Sequence, residues 1–177
     1  MSNVVLIGFM GAGKTTIGKK LARMLDFEFI DSDQLIELQQ AMSVGQIFAT
    51  RGEGYFRELE RELIQELNMK NSGFVLSTGG GMPCFSDNIK LLKNLGSTFY
   101  LKRSPKELAH RLKNAKSERP LLNGMEESDL EQYIISKLAE REEYYKMADF
   151  VLDRDQQDAK AILRLFQILH PDPVQKN

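Results

Sequence analysis

Gly8-Phe9-Met10-Gly11-Ala12-Gly13-Lys14-Thr15 is the stretch whose reading decides the fold. It satisfies G-x-x-x-x-G-K-[ST], a phosphate-cradling loop, on condition that a strand precedes it and a helix follows. Both conditions hold. Val4-Val5-Leu6-Ile7 is an unbroken apolar run of strand formers. Beyond the loop, Ile17, Leu21 and Leu25 recur at helical spacing, so Thr15 to Leu25 is a helix with Lys19, Lys20 and Arg23 on its wet side. Glycines let such a loop turn successive N–H groups onto phosphate oxygens, and the helix adds the positive end of its dipole. Lys14 is placed to bridge the terminal phosphates of a nucleoside triphosphate, and the Thr15 hydroxyl to ligate Mg²⁺.

Outward from the loop, short strand-like runs alternate with helical stretches, the pattern of a parallel sheet between two helical layers. The further strands are Phe27–Ile30, Gly73–Ser77, Ser97–Leu101 and Phe150–Leu152. Helical segments are expected from Gln34 to Ala41 and around Gly45 to Thr50. A longer helix starts near Gly54 with Phe56, Leu59, Leu63, Ile64 and Leu67 on one stripe. Others run over Asp87–Leu95, from Pro105 onward, over Ser128–Met147 and over Ala159–Leu169. Between Asn114 and Glu127 the chain is polar and punctuated by Pro120, Asn123 and Gly124, which reads as a lid. Residues 1–170 form one domain and 171–177 a tail.

Composition narrows the function. The 177 residues are 42% hydrophobic with a net charge of −1, enough for one core and too balanced for a general attraction to nucleic acid or anionic membrane. Cys84 is the only cysteine, so it reads as a small packing residue. The apolar opening has no basic lead and is interrupted too soon for a signal peptide or a membrane span, so a cytoplasmic protein is expected. The D-x-x-G and N-K-x-D signatures of a GTP switch are absent. Phe74-Val75-Leu76 leads into Ser77-Thr78, where a motor ATPase would place an acid, so the magnesium carboxylate must come from elsewhere. Asp31-Ser32-Asp33 supplies it at the end of the second strand. If the segment is extended, both carboxylates face one way, Asp31 toward the magnesium water shell and Asp33 toward an attacking hydroxyl. The alternative is that one of them caps the following helix.

Six motifs in order then make a family resemblance: Gly11-Ala12-Gly13-Lys14-Thr15-Thr16; Asp31-Ser32-Asp33; Ile47-Phe48-Ala49-Thr50 with Phe56-Arg57-Glu58-Leu59-Glu60; Gly79-Gly80-Gly81; Arg119-Pro120-Leu121-Leu122; and Arg141 before Tyr144-Tyr145. Apart from the tail, the chain resembles the shikimate kinases. The resemblance implies a nucleoside-monophosphate-kinase-like fold, three layers α/β/α with a five-stranded parallel sheet, a lid at about 114–127 and a small substrate region at about 32–60. It implies Mg²⁺-assisted transfer of phosphate from ATP to the 3-hydroxyl of shikimate, on the way to chorismate and aromatic amino acids, by a monomer.

Carried over residue by residue, the resemblance makes Lys14, Asp33 and Arg119 catalytic. Gly11 to Thr16, Arg111, Arg119 and Gln157 become ATP contacts, and Thr15 and Asp31 serve the metal. Shikimate falls to Asp33, Phe48, Phe56, Arg57, Gly79, Gly80, Gly81 and Arg141. The chemistry agrees, because guanidinium groups suit a carboxylate and bare glycine backbone lets a ring approach. Read without the resemblance, Arg57 is equally a helix-surface arginine paired with Glu53 or Glu60, Arg141 belongs to a charge-rich helix face, and Phe48 and Phe56 are core residues. His110 and His170 lie outside every motif. The rival readings are another small P-loop kinase, for gluconate or a nucleoside monophosphate, and a catalytically silent nucleotide-binding module.

Overall fold

Five short strands carry the chain's most apolar runs: β1 Asn3–Ile7, β2 Glu28–Asp31, β3 Phe74–Ser77, β4 Gly96–Leu101 and β5 Phe150–Leu152. They form one parallel sheet in the order β2-β3-β1-β4-β5 in a computed structural model that describes residues 2–114 and 127–171. β1 and β3 are buried along their whole length, as strands covered on both faces must be. Their partners run in register from Val4 beside Val75 and Ser97 to Leu6 beside Ser77 and Phe99.

The helices are α1 Lys14–Leu25, α2 Ser32–Gln40, α3 Val44–Asn68, α4 Asn88–Leu95, α5 Pro105–Lys113, α6 Glu127–Lys146 and α7 Ala159–Leu169. The crossover from β1 to β2 runs one way across the sheet and all later crossovers run the other way. Right-handed connections therefore put α1 on one face and α2 to α6 on the opposite face, while α7 packs against α1. α3 is two helical pieces joined at Gly52, whose φ of 84° breaks the helix, in keeping with separate segments on either side of residue 52.

Several boundaries shift by a residue or two from expectation, and two of the shifts bear on the site. β2 starts at Glu28 and includes Asp31, because Asp31 pairs in register with Ser77. α2 starts at Ser32, so Asp33 lies in its first turn and not in extended chain. Asp31 occupies the N-cap position but makes no side-chain capping bond. Its carboxylate is engaged instead by Thr15, which settles the capping alternative against it. At the far end, His170 is docked: its ring nitrogens lie 3.0 Å from the Ser2 and 3.0 Å from the Ser97 hydroxyls. Arg119, nearly all of the expected lid, and residues 172–177 of the tail lie outside the described residues.

Candidate active site

All five strands are parallel, so their C-terminal ends share one edge, where α/β proteins bind ligands. A cleft of about 1400 Å³ opens there. It is lined by the loop after β1, by Asp31 and Asp33, by Ser77 to Gly80 after β3, by Phe48 of α3 and by Arg111 of α5.

The nucleotide half is built on backbone. Gly11 and Gly13 have φ of 80° and 105°, values that side-chain-bearing residues rarely adopt, and Gly13 is the N-cap of α1. Lys14 is buried, and its Nζ donates to the carbonyls of Gly8 at 2.7 Å and Phe9 at 2.9 Å, so the ammonium lies across the mouth of the loop. Thr15 and Thr16 also line the cleft, while Ala12 is buried under it. The Thr15 hydroxyl donates to Asp31 Oδ2 at 3.0 Å and lies 3.5 Å from the Ser77 hydroxyl. Arg111 donates from Nε to the Gly11 carbonyl at 2.8 Å, at the edge of the same cleft. Gln157 is buried away from the cleft lining, and its amide donates to the carbonyls of Lys102 and Leu152, joining the turn after β4 to the end of β5.

The other half, where the sequence places the acceptor, converges on Gly79-Gly80-Gly81. A Cβ on Gly79 would sit 2.5 Å from Asp33 Oδ1 and 2.9 Å from Glu60 Oε1, and one on Gly81 would collide with the Arg57 guanidinium. A Cβ on Gly80 would lie 3.4 Å from the Met10 nitrogen and 3.8 Å from Arg141 Nη1. Close approach thus requires glycine at 79 and 81, where a Cβ would displace Asp33 and Glu60 or the Arg57 guanidinium, whereas at Gly80 it would make only ordinary contacts. Ser32 accepts from the Gly79 N–H at 2.7 Å and Tyr145 donates to the Gly80 carbonyl at 2.6 Å, so both α2 and α6 hold the loop. Phe56 is core and does not line the cleft; it packs edge-on against Phe48, which does, with ring centroids 5.0 Å apart.

Charge is arranged to match. Arg57 forms 2.6 Å ion pairs with both Glu53 and Glu60. Glu60 is fully buried, with Oε1 unpartnered among the described residues. Burial pushes its carboxyl up to about 7, against the pull of Arg57 and with added push from Asp33. Burial, then the Asp31 charge, also raises Asp33, with Lys14 opposing. Arg141 lies with its guanidinium 5.8 Å over the Phe9 ring, between the two halves. Cys84 is half-buried nearby, its thiol pushed up to about 11 by burial, which keeps it protonated and in keeping with a packing role.

Three contributors had no assigned role in the sequence reading. Glu60 falls on the buried stripe of Phe56, Leu63, Ile64 and Leu67, and an acid on an apolar stripe is the signal that could have found it. Tyr145 lies one turn past Arg141 on the same helix. His110 lines the cleft beside Arg111, with no spacing that marks it.

The model of the shikimate kinase family matches residues 10–169. The shikimate kinase of Bacteroides thetaiotaomicron is 43% identical over 156 residues, covering 88% of this chain and 89% of that protein. A crystal structure of shikimate kinase from the same organism superposes with a TM-score of 0.85 at 40% identity, covering 96% of this chain and 98% of that one. Shikimate kinase from Acinetobacter baumannii, solved in complex with shikimate, gives a TM-score of 0.82 at 32% identity, with 99% and 96% covered.

Proposed function

This chain belongs to the shikimate kinase family, and we infer from that premise that it transfers phosphate from ATP to the 3-hydroxyl of shikimate, giving shikimate 3-phosphate for chorismate and aromatic amino-acid synthesis. One observation carries the reading at the level of residues: a single cleft is lined both by the phosphate loop and by Asp33 with Gly79 and Gly80. Donor and acceptor therefore meet without leaving the C-terminal edge of the sheet.

In-line phosphoryl transfer depends on positioning and charge stabilisation more than on covalent chemistry. Lys14 moves its ammonium from two loop carbonyls to the phosphate oxygens when ATP enters. Arg57 and Arg141 take the shikimate carboxylate, and Glu60 holds the Arg57 fork in orientation. Asp33, raised by burial, accepts a hydrogen bond from the attacking hydroxyl and can take its proton. Phe48 gives the ring an apolar wall, and Arg111 flanks the base. From its place in the sequence, Arg119 is assigned to the transferring phosphate.

Mg²⁺ prefers hard oxygens and commonly takes only one or two from protein. The Thr15 hydroxyl and the Asp31 carboxylate, in contact at 3.0 Å, offer that set. Bound there, the ion would neutralise charge on the phosphate oxygens. No helix of the described residues is long and apolar enough to cross a membrane. A cytoplasmic monomer is proposed, as the resemblance implies, and sedimentation at micromolar concentration tests the monomer.

The direct test is ADP release, followed by a coupled assay with shikimate, with gluconate, with a nucleoside monophosphate and with no acceptor. Turnover only with shikimate is expected. Equal release with gluconate, or without any acceptor, would remove the assignment.

A further inference from the structure

The phosphate loop has a support that lies outside the cleft. Arg103, in the turn between β4 and α5, donates from Nε to the Ala12 carbonyl at 3.0 Å. Its Nη1 lies 3.7 Å from Glu107 Oε1, and the same oxygen pairs with Arg154 at 3.0 Å. The Arg103 side chain is only 14% exposed, and it lines a separate hollow between α5, α6 and the turn after β5. Burial and the nearby Arg111 charge both lower its pKa, with Glu107 offsetting them. A guanidinium nevertheless stays charged in a protein.

The consequence follows from peptide geometry. Among the described residues there are no cis peptide bonds, so the Ala12 C=O and the Gly13 N–H point in opposite directions from one rigid plane. Fixing the carbonyl on Arg103, behind the loop, turns the Gly13 N–H toward the cleft that Gly13 lines. Without that hold, Gly13 is free to rotate the peptide, since glycine tolerates both signs of φ. Arg111 fixes the preceding carbonyl, of Gly11, from the cleft side.

We propose that Arg103 is a positioning residue for nucleotide binding, which presets the Ala12–Gly13 peptide so that its N–H meets a phosphate oxygen. The proposal rests on the nucleotide half of the assigned function and needs no statement about the acceptor. The Glu107–Arg154 pair fixes Arg103 in turn and ties the phosphate loop to the turn after β5.

Titration calorimetry with ADP, and separately with shikimate, tests it on the full chain and on Arg103→Met and Arg103→Lys. Loss of a hydrogen bond from a charged donor predicts that Arg103→Met raises the ADP Kd on the order of tenfold. Arg103→Lys keeps the charge but cannot place a donor at the Nε position while reaching Glu107, so a rise of roughly threefold or more is expected. Shikimate affinity without nucleotide stays unchanged in both, and the Gly13 amide proton moves less on ADP addition than in the parent. ADP affinity preserved in Arg103→Met, full recovery by lysine, or equal loss of ADP and shikimate binding would each overturn the proposal. If Arg103→Met does not fold, Arg103→Lys and the Gly13 amide decide it. A parent protein that binds ADP yet leaves shikimate unphosphorylated would sink the family reading and leave this test intact.

Discussion

Glu60 and Lys14 show how single residues are set before any ligand arrives. Glu60 is fully buried and its carboxyl is pushed up to about 7 from 4.5, so between those values the folded chain keeps a proton that the unfolded chain has released. Its contribution to stability is complete below about pH 4.5 and lost as the pH rises through 7. Glu60→Gln lacks that dependence. Melting temperatures of the two proteins across pH 4.5 to 8 should show the parent losing ground to the variant as pH rises, and a constant difference would mean that Glu60 is already ionised. Lys14 is a second case, because its ammonium satisfies two loop carbonyls as well as awaiting phosphate. Lys14→Ala should lose transfer altogether while staying folded, its stability lower by about 1 to 3 kcal/mol for the lost bonds to the buried Gly8 and Phe9 carbonyls. Retained turnover in the folded variant would exclude the phosphate role.

At the scale of elements, α3 and α6 each bring one arginine to the triglycine loop, and Gly79 and Gly81 make room for the groups they meet. Arg57→Ala and Arg141→Ala should each weaken shikimate binding on the order of tenfold to a hundredfold, with ATP binding little changed. Gly81→Ala should do the same without touching an arginine, because its Cβ would displace the Arg57 guanidinium. Separate titrations with the two ligands check all three, and a Gly81→Ala protein of normal shikimate affinity would show that Arg57 does not work from this position. The α-helices and strands were legible, since their periodicities place them to within about two residues, but the short 3₁₀ turns at Met82–Cys84 and Arg154–Gln156 were not. What sequence could not resolve was contact. Arg57 has acids at the preceding fourth and following third positions, so a surface ion pair and a substrate arginine predict the same residues; the structure has the pairs and also the approach to Gly81. Asp33 was expected in extended chain, but the Asp31–Thr15 contact ends the strand and Ser32, buried under the Gly79 N–H, starts the helix. Local propensity carries no record of partners 16 and 47 residues away.

Across the whole molecule, alternation of strands and helices gives a parallel sheet but not its order, which depends on where each crossover lands. With β1 central and β3 and β4 on its flanks, the phosphate loop opens between the triglycine floor and the turn that carries Arg103. The proposed substrate region, about 32–60, is joined to the rest by the Thr15–Asp31 bond, the Ser32–Gly79 bond and the crowding of Glu60 and Asp33 against Gly79. The two ends of the described chain meet where His170 lies between the Ser2 and Ser97 hydroxyls. Such cross-bracing predicts that the described residues unfold as one unit and not as a core plus a detachable substrate region. A ligand at about a hundred times its Kd adds roughly 2.7 kcal/mol to the folded state, which for a chain of this size raises Tm by about 5 to 11 °C. Calorimetry should then show a single transition that moves as a whole when either ADP or shikimate is added. If shikimate splits the trace, moving one transition and leaving another in place, region 32–60 is a separate folding unit and the single-domain reading is wrong.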